Sequence, residues 1–72
     1  KYPVIFYESP YRILKTLISL SQHISDSKKI TVCRELTKIF EQVVTGFPEE
    51  VKKYFELNKE KVRGEFTIIV HF

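Results

Sequence analysis

The 72-residue sequence predicts a single small α/β domain with two layers, in which two helices pack on a mixed β-sheet. Short apolar runs rich in β-branched and aromatic residues alternate with two segments of helical apolar spacing, in the order β-α-β-β-α-β. The chain is 43% hydrophobic and 14% aromatic, a composition typical of globular proteins. A chain of this length buries only about 60% of the surface that its unfolded form exposes, so we expect low stability.

The first half of the chain predicts a strand, a helix and a second strand. Residues 2–7 are almost all apolar, which predicts a central strand covered on both faces. Ser9 can cap the helix that follows, and Pro10 suits its first position because the first N–H groups of a helix are unpaired. This helix runs to about His23 with one apolar face, which packs on the sheet. Residues 30–33 then form the second strand.

The second half predicts two more strands and one more helix. Residues 40–45 form the third strand, which Gly46 ends. Pro48 and the two glutamates after it mark a helix start, since acidic side chains favour the positive end of the helix dipole. Residues 66–72, which follow Gly64, form the fourth strand.

Charge and composition narrow the function classes. The net charge of +3 is mild and its basic residues are dispersed, which permits an RNA partner without requiring one. No apolar run reaches the roughly 20 residues that cross a bilayer, so we expect no membrane partner. A single cysteine cannot form an internal disulfide, which fits a reducing, cytoplasmic location. The single Cys33 is expected to be a small core residue, and neither it nor the two histidines has metal-ligand spacing. No metal site is predicted, and no glycine-rich phosphate loop occurs.

Charged residues follow the first two predicted strands. Glu8 precedes Arg12 by four residues, and Arg34 and Glu35 end the second strand. If the sheet brings these strand ends together, the four side chains line one rim, where ligands of open α/β sheets usually bind. The alternative is that they are ordinary surface ion pairs, which contribute roughly 0 to 1 kcal/mol. A hydrolase with Glu8 and Glu35 as acid and base lacks a nucleophile and a fixed separation.

Four motifs together resemble one known family. They are FYESPYR at residues 6–12, CRELTKIFE at 33–41, the Gly46 turn before a helix, and RGEF at 63–66. In this order they are similar to the ribosomal RNA small-subunit (cytidine-2′-O)-methyltransferase family, which belongs to the tetrapyrrole-methylase class. The resemblance extends over essentially the whole chain.

The resemblance implies an enzyme fragment. Residues 1–72 would be the carboxyl-terminal α/β subdomain of the catalytic module, without the amino-terminal subdomain, and therefore inactive alone. The full-length protein would use S-adenosyl-L-methionine to methylate ribosomal RNA in the small ribosomal subunit. Its amino-terminal domain would be a partner of this segment, and a homodimer is compatible with the class.

The resemblance also implies site residues. Cofactor contacts carry over to two strand ends, with Tyr7 and Glu8 at one and Leu36 and Thr37 at the other. Three basic residues become candidates for RNA phosphate contacts or domain-interface ion pairs: Arg12, Arg34 and Lys38. The catalytic base stays unassigned, since the missing half can equally supply it.

Two departures from the family pattern and two alternative functions remain. Tyr11 stands where histidine is common, and Phe47 replaces a threonine whose hydroxyl would cap the second helix, a loss of about 1 kcal/mol. One alternative is a fragment of a tetrapyrrole methyltransferase, whose family usually has methionine at the position of Glu8. The other is a stand-alone RNA-binding module, suggested by the strand order and faintly by Arg63, Gly64 and Phe66.

Overall fold

The structure, a computed structural model, describes residues 3–24, 28–36 and 39–71. These residues form four strands, two α-helices and one turn of 3-10 helix, so the predicted two-layer α/β domain with the order β-α-β-β-α-β is confirmed. In chain order the elements are β1 (Val4–Glu8), α1 (Ile13–His23), β2 (Ile30–Leu36), β3 (Ile39–Gly46), α2 (Pro48–Leu57), the 3-10 turn (Lys59–Lys61) and β4 (Glu65–Val70).

The four strands form one sheet in the order β1-β4-β2-β3. Each neighbouring pair is antiparallel, so the predicted mixed sheet is wrong. The reason is the position of β4. Strands β1 and β2 run in the same direction, but β4 lies between them and pairs with both, so these two parallel strands never pair with each other.

Strand β1 lies at an edge of the sheet, and the prediction of a central strand is wrong. Its apolar run is continuous, but only one of its faces is covered by helices. Ile5 and Tyr7 alternate with Phe6 and lie on the open face, where both are exposed. Phe6 packs against the hydrophobic core from the other face.

Helix α1 begins at Ile13, three residues after the predicted first position at Pro10. The residues between β1 and α1 form a turn instead, in which the Ser9 carbonyl accepts the N–H groups of Arg12 and Ile13 at 3.1 and 3.0 Å. The helix ends at His23 as predicted, and it buries Ile13 and Leu17 completely.

Helix α2 begins at Pro48, as predicted. Phe47 offers no capping side chain, but its backbone N–H donates to Oε1 of Glu50 at 3.0 Å. This contact supplies half of a capping box and compensates in part for the missing hydroxyl. The buried face of α2 consists of Pro48, Val51 and Phe55, which pack over the β2 and β3 side of the sheet.

One hydrophobic core lies between the helices and the sheet. The rings of Phe55 from α2 and Phe66 from β4 meet edge to face at 5.7 Å. The buried apolar side chains are Ile13, Leu17, Ile30, Val32, Val51, Phe55, Phe66, Ile68 and Val70. Within the described ranges, neither helix has the length and apolar character needed to cross a membrane.

Candidate functional site

The last residues of β1 and β2 lie at the same end of the sheet, on either side of the first residues of β4. Glu8 and Arg34 are both Cα partners of Phe66, and Glu35 is the partner of Glu65. Two strand spacings therefore separate Glu8 from Arg34, about 10 Å. We call this end of the sheet the strand-end rim. Of the four residues predicted to line it, Glu8, Arg34 and Glu35 lie there, whereas Arg12 lies in the turn before α1.

Four rim residues form a continuous row across the sheet. They are consecutive cross-strand neighbours, so they share the face that the helices cover: Glu8, Phe66, Arg34 and Gln42. The parallel row two residues further into the sheet is entirely apolar, with Phe6, Ile68, Val32 and Val44. The core thus ends at the strand-end rim in a row that alternates charge, aromatic ring, charge and amide.

The Glu8 carboxylate is held by the start of α1. Its Oε2 accepts a hydrogen bond from Oγ1 of Thr16 at 2.6 Å, and Nε of Arg12 lies 3.6 Å from its Oε1. The Glu8 side chain is only 15% exposed, whereas that of Arg12 is 74% exposed. The Glu8 side chain therefore joins β1 to α1. The Glu8 backbone forms the end of β1 at the rim.

Arg34 and Gln42 form the buried half of the row. Arg34 is only 7% exposed, although the sequence predicted it at the charged end of the strand. Nε of Arg34 and Oε1 of Gln42 have no hydrogen-bond partner among the described residues. Nε2 of Gln42 donates to the hydroxyl of Tyr54 on α2. Among the described residues, a donor and an acceptor without partners thus lie on adjacent strands at the rim, where each is costly to leave unpaired.

The open side of the rim presents an aromatic ring. Tyr7 points away from the helices and is 79% exposed. Strand β2 also ends at the rim, at Leu36, which pairs with Ile39 of β3. The register between β2 and β3 is irregular between Arg34 and Glu35. Such bulges redirect the strand locally. The predicted site residues Thr37 and Lys38 lie outside the described residues.

Sequence reasoning missed three polar side chains at this site. Thr16 was detectable, because it lies one helical turn after Arg12 and so faces the same way. Gln42 alternates with Val44, so a polar residue stands in the buried series of β3. Tyr54 lies on α2, and its hydroxyl contact with Gln42 has no signal in the local sequence.

The described rim residues are polar, charged and aromatic, which suits recognition of a polar ligand. Within the described segments, no three His, Cys, Asp or Glu side chains gather as metal ligands. Cys33 is half-buried on the open face of β2, between Val43 and Thr67, and is not in the core as predicted. The available chemistry is hydrogen bonding, charge and stacking on Tyr7.

The sequence was compared with family models and with curated proteins. No protein-family model matches the chain. Curated relatives do, and each of the first three carries the name ribosomal RNA small subunit methyltransferase I. By these names, the chain is similar to a group of ribosomal RNA methyltransferases.

The similarity extends over nearly the whole chain but only part of each relative. The protein from Borrelia garinii is 52% identical over 66 residues, which is 92% of this chain and 29% of the relative. The Bacillus subtilis protein is 39% identical over 67 residues, 93% of this chain and 22% of the relative. The Coprothermobacter proteolyticus protein is 37% identical over 68 residues, which is 94% of this chain and 28% of the relative. The predicted resemblance to ribosomal RNA small-subunit methyltransferases is confirmed, and the chain is similar to one segment of them, under a third of their length.

Proposed function

We propose that this chain is the carboxyl-terminal α/β part of the catalytic module of an S-adenosyl-L-methionine-dependent methyltransferase. The acceptor is the ribose 2′-hydroxyl of a cytidine in small-subunit ribosomal RNA, and the amino-terminal part of the module completes the site. The observation that carries the proposal is the strand-end rim, where Tyr7, Glu8 and the end of β2 lie together in a chain similar to named rRNA methyltransferases.

The described rim residues offer the cofactor contacts on both faces of the sheet. Nε of Arg34 is a buried donor without a partner among the described residues, which suits an anionic or carbonyl oxygen. The exposed ring of Tyr7 offers a stacking surface for a purine. Backbone at Glu8 and Leu36 ends the two flanking strands, and we add Thr37 to this cofactor-binding set.

The chain contributes binding and orientation to the reaction. The cofactor, when bound, supplies an electrophilic methyl group on a sulfonium. Residues of the rim would hold one wall of the cleft, so that a ribose hydroxyl bound opposite is aligned with that methyl group. Of the basic residues, Arg12 is free enough to reach a phosphate, Arg34 is buried enough to serve the domain interface, and Lys38 joins them as a candidate.

Two alternatives differ in acceptor or in class. A tetrapyrrole methyltransferase would use the same rim on another substrate. Of the residues that suggested a stand-alone RNA-binding module, Phe66 is buried in the core, so its ring is not available to stack on a base. We therefore favour the ribosomal RNA acceptor, and with it a cytoplasmic location beside the ribosome.

The test uses the full-length protein that contains this chain. Purified small ribosomal subunits lacking the modification are incubated with it and labelled S-adenosyl-L-methionine, and the RNA is digested to nucleosides for mass spectrometry. We expect label in 2′-O-methylcytidine. Label in a methylated base, or no transfer to RNA, would contradict the acceptor. Transfer to a tetrapyrrole in a parallel incubation would support the first alternative.

A further inference from the structure

A groove runs along the exposed flank of α1, and it shares Arg12 and Thr16 with the contacts of Glu8 at the strand-end rim. Its volume is about 590 Å³. The residues that line it recur at helical spacing along one stripe: Tyr11, Arg12, Lys15, Thr16, Ser19 and Leu20. Because Ile13 and Leu17 occupy the buried face of the helix, this stripe lies beside the core-facing one and is open to solvent.

The groove begins with an aromatic ring that the domain does not cover. Tyr11 is 94% exposed, in the turn between Ser9 and the first residue of α1. A single exposed apolar side chain is ordinary on a protein surface. Here, however, the ring stands at one end of a groove that continues with two basic side chains and two hydroxyls. This combination indicates a ligand with both a flat face and negative charge.

The charge of the groove is positive. Lys15 is exposed, and the Arg12 guanidinium is largely exposed as well. The carboxylate that contacts the groove is that of Glu8, which is mostly buried and already accepts a hydrogen bond from Thr16. An exposed ion pair such as Arg12 with Glu8 is weak and screened by salt, so the guanidinium can turn towards an anion.

Single-stranded RNA matches this chemistry better than other anions. A base can stack on the Tyr11 ring, and Lys15 and Arg12 can contact the adjoining phosphates. The hydroxyls of Thr16 and Ser19 can meet a ribose hydroxyl. An acidic polypeptide would match the two cations but leave the exposed ring without a planar partner.

We propose that the α1 groove binds single-stranded RNA next to the strand-end rim, with one base stacked on Tyr11 and one or two phosphates held by Lys15 and Arg12. The inference rests on the proposed function, because it assigns part of the same RNA acceptor a place on this chain. Thr16 of the groove donates a hydrogen bond to Glu8, the last residue of β1, so RNA bound in the groove lies beside the end of that strand.

Fluorescence anisotropy of the full-length protein with a labelled 20-nucleotide single-stranded RNA tests the groove. Tyr11→Ala is expected to weaken binding about 5- to 150-fold, which is the range for losing one stacked base. Lys15→Gln is expected to weaken binding and to lower the slope of log affinity against log salt by about 0.7 for one lost phosphate contact. Leu57→Ala and Lys53→Gln on α2 are matched controls, an exposed apolar residue and an exposed lysine, and should bind as the wild type does.

The outcomes separate the groove from the proposed function. Wild-type protein that neither binds the RNA nor methylates small subunits overturns both. Wild-type binding that is unchanged in Tyr11→Ala and Lys15→Gln overturns the groove alone. Displacement of the RNA by polyglutamate at equal charge concentration also overturns it, since the groove would then select charge and not RNA. Circular dichroism shows whether each variant keeps its fold.

Discussion

The hydrogen bond from Thr16 to Glu8 fixes the first turns of α1 against the end of β1, and Thr16→Val removes it with little change of shape. The acceptor is a charged, mostly buried carboxylate, and hydrogen bonds to charged groups contribute about 1.5 to 3 kcal/mol. Because Arg12 and some water still reach this carboxylate, we expect the lower end, a loss of about 1.5 kcal/mol in the free energy of unfolding. For a chain of this size that corresponds to a fall in melting temperature of about 6 to 12 °C.

Urea unfolding followed by far-UV circular dichroism measures this loss, and the dependence on urea should keep its slope. Ser19→Ala is the matched control on the same stripe of α1, since its hydroxyl is exposed and lies 3.5 Å from Nδ1 of His23; it should change stability by less than about 0.5 kcal/mol. A double-mutant cycle with Glu8→Gln should give a coupling of about 1 kcal/mol. A Thr16→Val variant no less stable than Ser19→Ala would refute the role of this bond.

Three further substitutions test the packing and the helix ends by the same unfolding assay. Phe55→Ala should cost about 3 to 5 kcal/mol, because the ring is fully buried between Tyr54 and Phe66, while Leu57→Ala on the exposed side of α2 should be nearly neutral; equal losses would contradict the core described. Glu50→Ala should cost about 0.5 to 1 kcal/mol by leaving the Phe47 N–H without its acceptor, and Glu50→Gln should recover most of that loss; no difference between the two would argue against the cap. Gly64→Ala should cost about 1 to 2 kcal/mol, since the backbone there has φ of 88°; an unchanged stability would mean that the turn adopts another conformation.

The order and nature of the elements were predictable from local pattern, but the position of β1 was not. A continuous apolar run indicates a strand and does not distinguish a central strand from an edge strand with one open face. Ile5 and Tyr7 lie on that open face. The pairing of β1 with β4 joins the first and last strands of the chain, and no local signal specifies such a distant partner.

The candidate site was predictable in the same partial way. Glu8 and Arg34 were identified from charge at the ends of apolar runs, and the register brings both to Phe66. The burial of Arg34 was not predictable, because β2 continues to Leu36 and carries the arginine inside the sheet. Its neighbour Gln42 belongs to a different strand, so their juxtaposition depends on tertiary pairing alone.

The central claim is that the strand-end rim forms one wall of an S-adenosyl-L-methionine site. Backbone amide NMR spectra of the full-length protein, recorded with and without the cofactor, test it residue by residue. We expect shifts at Tyr7, Glu8 and Leu36. We expect little change at Ile30, Gly46 and Val70, which lie at the opposite end of their strands. Shifts confined to that opposite end, or cofactor binding that shifts no amide of this chain, would contradict a cofactor site at the rim.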